Sequence, residues 1–135
     1  MTPALHTHSG AAARAERAAR NQALGAYGEA LAAAYLVERG CTILDRNWRS
    51  RSGELDLVVR AGETLVAVEV KTRRGTGYGT PLSAVTPRKT ARLRLLLGEW
   101  LRLHSEPADT LRIDAIGIVL RTHAAPQIEH LRGIG

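Results

Sequence analysis

The stretch Gly53 to Arg73, GELDLVVRAGETLVAVEVKTR, decides the fold. Strand side chains alternate faces with a period of two. On that rule Leu55, Leu57 and Val59 share one face, and Glu54, Asp56 and Val58 share the other. In the next run Val66, Val68 and Val70 alternate with Leu65, Ala67, Glu69 and Lys71. Between the runs, Gly62-Glu63 reads as a two-residue turn with glycine first, the preference of a type II′ hairpin. That turn sets Leu57 against Val68, Asp56 opposite Glu69 and Glu54 opposite Lys71. A four-residue loop over Ala61 to Thr64 gives the same register. A slip of one residue would set charges against valines, which the burial of one face disfavours.

The hairpin is therefore apolar, with Glu54, Asp56, Glu69 and Lys71 gathered on one face. An ordinary solvated face with a Glu54–Lys71 pair is one reading, and such pairs contribute roughly 0.2–1 kcal/mol. The opposition of Asp56 and Glu69 argues against it, because facing like charges destabilise a strand pair unless a cation lies between them. Aspartate is also a poor strand residue. Mg²⁺ takes oxygen ligands, keeps several waters and makes a bound water a better nucleophile. The expectation is a site for Mg²⁺ (or Mn²⁺) that hydrolyses phosphodiesters. Asp56 and Glu69 are the ligands, with the Val70 carbonyl as an additional one. Lys71 shares their face, to orient the water or to stabilise developing negative charge.

Working outward, Leu24, Tyr27, Leu31 and Tyr35 recur at helical spacing and predict a helix, firm from Asn21 to Arg39 and starting near Ala11. Gly40 is its expected C-cap. Cys41 to Trp48 reads as a first strand. After the hairpin, Gly75 to Pro81 reads as a flexible loop able to line or gate the site. Thr86-Pro87 opens a second helix as N-cap and first helical residue, with Leu93, Leu96, Leu97 and Trp100 as its buried stripe. Leu111 to Leu120 is a fourth strand, and Gln127 to Leu131 a short fifth. The order α-β-β-β-α-β makes a mixed α/β layered fold. Residues 1–20, rich in Ala and Arg, form a flexible arm ahead of one domain over 21–135.

With 135 residues, 44% of them hydrophobic, the chain suits a single modest core. No apolar run approaches the ~20 residues of a membrane span. The N-terminus lacks the apolar segment of a secretory signal. One cysteine, Cys41, makes no intrachain disulfide, and no Cys/His group has zinc spacing. A cytoplasmic protein is expected. Formal net charge is +6, and all but Lys71 and Lys89 of the 19 basic residues are arginine. Arginine suits bidentate phosphate contacts, so nucleic acid is the favoured partner class, although a coding preference for arginine gives the same composition.

Arg88, Lys89 and Arg92 open the second helix, where the macrodipole disfavours cations and welcomes phosphate. Lys89 is in phase with Leu93, Leu96 and Trp100 and so can reach the site. Arg49, Arg51, Arg73 and Arg74 cluster at strand ends and can contact a phosphate backbone. Asp114 is read as structural, paired with Arg112 or another arginine. The five histidines are read as surface residues, and Trp48 and Trp100 as packing residues.

Asp56 followed by Glu69-Val70-Lys71 resembles the PD-(D/E)xK pattern of restriction-endonuclease-like nucleases. The wider string is more specific. It comprises Gly25-x-x-Gly28-Glu29, Asn47-x-Arg49, Gly53-Glu54-x-Asp56, Val68-Glu69-Val70-Lys71-Thr72-Arg73, Gly79-x-Pro81, Lys89-x-x-Arg92-Leu93 and Arg112-x-Asp114. Together these resemble the YraN family of small bacterial proteins, relatives of archaeal Holliday-junction resolvases. The resemblance covers about residues 20 to 120. It implies a restriction-endonuclease-like αβββαβ core, a mixed sheet flanked by helices, and a metal-dependent endonuclease acting on DNA, branched DNA included. It also implies that Glu29 completes the acidic set from the first helix. A symmetric junction would call for a homodimer. The rival reading is a non-catalytic nucleic-acid-binding module, or an interaction subunit of a DNA-processing assembly.

Overall fold

The structure is a computed structural model that describes residues 2–75 and 79–135, residues 2–9 by backbone alone. Its elements run α1 (Thr2–Glu38), β1 (Thr42–Ser50), β2 (Gly53–Ala61), β3 (Thr64–Arg74), α2 (Pro87–His104), β4 (Thr110–Leu120) and β5 (Gln127–Leu131). The five strands form one open mixed sheet in sequence order. All neighbours are antiparallel except β3 and β4, which run parallel. Parallel strands need a crossover, and α2 supplies it. A 3₁₀ turn, Pro81–Ala84, capped by the Thr80 hydroxyl, precedes α2 and was not anticipated from the sequence.

The hairpin register is as expected. Leu57 pairs with Val68 and Ala61 with Thr64, leaving Gly62-Glu63 as the turn. Gly62 has φ +62 and Glu63 is not among the positive-φ residues, as a type II′ turn requires. The β2–β3 pairing stops at Leu57, however, so Asp56 and Glu54 lie beyond the ladder. Glu54 does not face Lys71. It pairs across to β1 and binds Arg49 at 2.6 Å.

Alternation sends Val66, Val68 and Val70 of β3 to α1, and Leu65 and Ala67 to α2. On β2, Leu57 and Val59 join the α1 side, and Val58 joins the α2 side. Leu55 breaks the rule by packing with Val58. The break falls at Asp56, whose opposite position on β1 is taken by Asn47, a left-handed residue with φ +50. Asparagine tolerates that conformation better than most residues. The expected one-face grouping of the four charges is thus bent at its β2 end.

Helix α2 follows its sequence closely. Thr86 caps the Lys89 N–H, Pro87 opens the first turn, and Leu93, Leu96, Leu97 and Trp100 are buried. Helix α1 departs in two respects. It begins at Thr2, so residues 2–20 are helical, and from Gly10 to Ala23 the side chains are exposed apart from half-buried Ala13. Its buried stripe is also turned from the expected one. Tyr27 is 53% exposed, while Gly28, Ala32, Ala33 and Leu36 face the sheet. Close approach explains this. A Cβ on Gly28 would lie 1.8 Å from Thr72 Oγ1 on β3, so only glycine lets the helix settle there.

Candidate active site

Where the β2–β3 ladder opens, side chains take over from backbone pairing. The Val70 N–H donates to Asp56 Oδ2 at 2.9 Å, a bond that a neighbouring strand carbonyl would otherwise accept. A strand residue sends its N–H and C=O to the same edge. The Val70 carbonyl therefore also leaves β3 on the side of Asp56. Glu69 belongs to the α2 side of β3, where it meets Lys89. Its side chain is 6% exposed.

Two ammonium groups meet that buried carboxylate. Lys89 Nζ, from the first turn of α2, lies 2.7 Å from Glu69 Oε2, and Lys71 Nζ lies 3.6 Å from the same oxygen. Lys71 has its pKa lowered, first by the adjacent Lys89 and then by burial. Burial works against the Lys89 ammonium too, but hydrogen bonds to Glu69 and Lys71 outweigh it and raise its pKa. The pair is one shared arrangement of charge on Glu69, with Lys89 the more firmly protonated member.

Asp56 is the most perturbed acid. Burial and the nearby Glu69 charge push its pKa up to about 8, against the pull of the Val70 N–H. Glu29, half-buried on α1, is also raised, chiefly by burial. Hydrogen bonding to Asn47 opposes the shift, and the charges of Glu54 and Glu69 add to it. The α1 acid thus reaches the electrostatic neighbourhood of Asp56 and Glu69, as expected. Among the described residues no three His, Cys, Asp or Glu groups converge tightly enough to cage an ion. The donor set is two carboxylates and a carbonyl, with Glu29 at the margin. That composition fits a Mg²⁺-type ion, which takes one or two carboxylates and keeps waters.

The expected phosphate-binding residues divide. Arg51, Arg88 and Arg92 line one groove of about 500 Å³ with Ser52, and Arg92 donates to the Ser52 carbonyl at 3.1 Å. Arg49 is engaged by Glu54. Arg73 donates to the Gly79 carbonyl, and Arg74 is exposed. Lys89 is turned inward onto Glu69. The centre of the Gly75–Pro81 loop lies outside the described residues.

On the α1 face of the sheet, Asp114 is 1% exposed and structural, as its sequence context suggested. Arg112 grips it with two bonds of 2.8 and 3.1 Å. His130 and the Gly133 N–H complete its shell at 2.9 and 3.0 Å. His130 is therefore no surface residue. Its side chain is 7% exposed and also meets the Tyr35 hydroxyl at 3.2 Å. Its separation from both partners in sequence left no local signal of this role. Trp100 is core, and its indole N–H donates to Asp45 at 2.8 Å.

No helix among the described residues is long and apolar enough to cross a membrane. The chain matches the model of "Uncharacterised protein family UPF0102" over residues 28–118. It is 57% identical to a UPF0102 protein of Rhodococcus opacus over 114 residues, 84% of this chain and 97% of that protein. A UPF0102 protein of Nocardioides is 51% identical over 118 residues, 87% of this chain and 95% of that protein. One from Streptomyces coelicolor is 48% identical over 127 residues, 93% and 97% of the two chains. The matched span runs from Gly28, whose missing side chain seats α1, through the carboxylates and lysines of the site to Ile118 in β4, and on it the chain belongs to the UPF0102 family, the YraN family suggested by its motifs.

Proposed function

We propose that this protein is a metal-dependent endonuclease that hydrolyses DNA phosphodiesters at the open end of the β2–β3 hairpin. One observation carries the reading. Half-buried Asp56 lies beside buried Glu69, and Asp56 is so disfavoured as an anion that its pKa rises to about 8. Such a pairing has no structural use that an apolar pair would not serve better, and it suits a site made for a divalent cation.

In this reading Asp56, Glu69 and the Val70 carbonyl hold Mg²⁺ or Mn²⁺, with Glu29 flanking. The ion supplies charge neutralisation at the phosphate and a more acidic water. Lys71 projects from β3 beside Glu69 and stabilises charge developing on the phosphate. Arg51, Arg88 and Arg92 grip the backbone along their groove, so binding weakens as salt rises. The resolvase resemblance makes branched DNA, four-way junctions included, the first substrate class to examine.

Wild-type protein incubated with duplex, flap and four-way-junction DNA in Mg²⁺ or Mn²⁺ is expected to cleave at least one of them. Asp56→Asn and Lys71→Ala should each reduce cleavage by about 100-fold or more, the size of losing one charge-stabilising group, and leave DNA binding intact. Binding without cleavage by the wild type would sink the enzyme reading and favour a nucleic-acid-binding module. The lack of a tight three-acid cage among the described residues is the observation that keeps this second reading in view.

A further inference from the structure

We propose that Lys89 is the internal counter-cation of this site, holding Glu69 while no metal is bound and withdrawing to the phosphate-binding face when a divalent ion enters. The inference rests on the metal-site reading above and adds a moving part to it. Glu69 is buried, and a buried carboxylate left without a cation is strongly destabilised. Lys89 meets that need at 2.7 Å, closer than Lys71 at 3.6 Å.

Three features make Lys89, rather than Lys71, the group that leaves. First, the two ammonium groups crowd one oxygen, Glu69 Oε2, so a third cation at that oxygen competes with them. Second, Lys71 sits two residues from Glu69 on the same strand, which fixes it to that face, whereas Lys89 reaches in from another element. Its long stem can swing without moving the backbone, which Thr86 pins by accepting the Lys89 N–H at 3.2 Å. Third, the first turn of a helix is an unfavourable place for a cation. Lys89 stands there because Glu69 holds it. Once released, its nearest companions along the helix are Arg88 and Arg92, whose groove faces outward.

Metal and phosphate binding are then coupled in one direction and its reciprocal. An ion at Asp56 and Glu69 frees a cation for the phosphate, and a phosphate that engages Lys89 unmasks Glu69 for the ion.

The test is Mn²⁺ titration of the full-length protein by calorimetry without nucleic acid, comparing wild type with Lys89→Met and with Lys89→Gln. The glutamine variant keeps a neutral donor for Glu69, so it serves if the methionine variant folds poorly. Removing the competing charge is expected to tighten Mn²⁺ binding by about tenfold or more in either variant. Arg88→Gln, which removes a cation one residue away, should change it by less than about threefold. Equal or weaker Mn²⁺ binding in both Lys89 variants, with the wild type binding normally, would overturn the counter-cation role and leave the metal site standing. Failure of every form to bind Mn²⁺ would overturn the metal site itself, and this inference with it.

Discussion

Half-buried Asp56 and fully buried Asp114 are aspartates of one sheet, and their surroundings treat them in opposite ways. Asp114 receives a bidentate arginine, a histidine and a backbone N–H. Burial alone would raise its pKa, but Arg112, the Gly133 N–H and His130 together bring it below the ordinary value. Asp56 receives one backbone N–H and a second carboxylate, and its pKa goes the other way, to about 8. The first carboxylate is fully satisfied by the fold. The second is left in deficit, and that deficit is what supports the proposed divalent-ion site.

Breaking the satisfied member should cost most. Asp114→Ala leaves Arg112, His130 and the Gly133 N–H without their acceptor, and a loss of about 3–5 kcal/mol is expected. Urea unfolding measures it, and a loss under about 1 kcal/mol would show the network to be ornamental. Breaking the deficient member should cost less and depend on the replacement. Asp56→Ala removes the acceptor of the Val70 N–H and should cost about 1–3 kcal/mol. Asp56→Asn keeps an acceptor oxygen while removing the repulsion from Glu69, so the metal-free protein should gain stability. An asparagine variant less stable than wild type at pH 9, where Asp56 is ionised, would mean that the negative charge itself is structural.

The smallest effects, and the sharpest contrast, lie in pH dependence. Asp56 has a folded pKa raised from 3.8 to about 8. Its contribution is fully present below pH 3.8 and is lost as pH rises through about 8. Asp114 has a depressed folded pKa, so its contribution is present above its unfolded value of 3.8 and is lost as pH falls through the folded value. Unfolding free energies of wild type minus Asp56→Asn should therefore decline from weakly acid to alkaline pH. The difference between wild type and Asp114→Asn should collapse only in acid. Parallel curves for the two pairs would remove the distinction between the two aspartates.

The site was legible in the sequence to the extent that it is local. Asp56, Glu69, Val70 and Lys71 sit on one hairpin whose turn and apolar alternation fix the register, which brings Asp56 near Glu69 and Val70 even though the ladder ends before it. Helix α2 was legible because its cap and its large apolar residues agree. Helix α1 was legible as a helix over Asn21 to Arg39, but its buried face was not, because that face includes Gly28, Ala32 and Ala33, which carry little hydrophobic signal and work by permitting approach. The left-handed Asn47 and the end of the ladder before Asp56 were invisible for another reason. They arise where three elements compete for the same space. Lys89 was placed at the site by helical phase, but its inward turn onto Glu69 depends on the height of α2 above the sheet, which no pattern in the chain encodes.

One consequence follows from the bond between the Val70 N–H and Asp56. Nearly every amide in a sheet is tied to a carbonyl oxygen, which does not change its charge. This one is tied to a carboxyl group whose pKa is raised to about 8. The Val70 amide is thus a natural indicator. Its proton resonance and its rate of exchange with solvent should follow the ionisation of Asp56 at a distance of 2.9 Å, with no label added. A backbone position that the fold uses to begin a fork in the sheet thus reports the charge of the acid beside it.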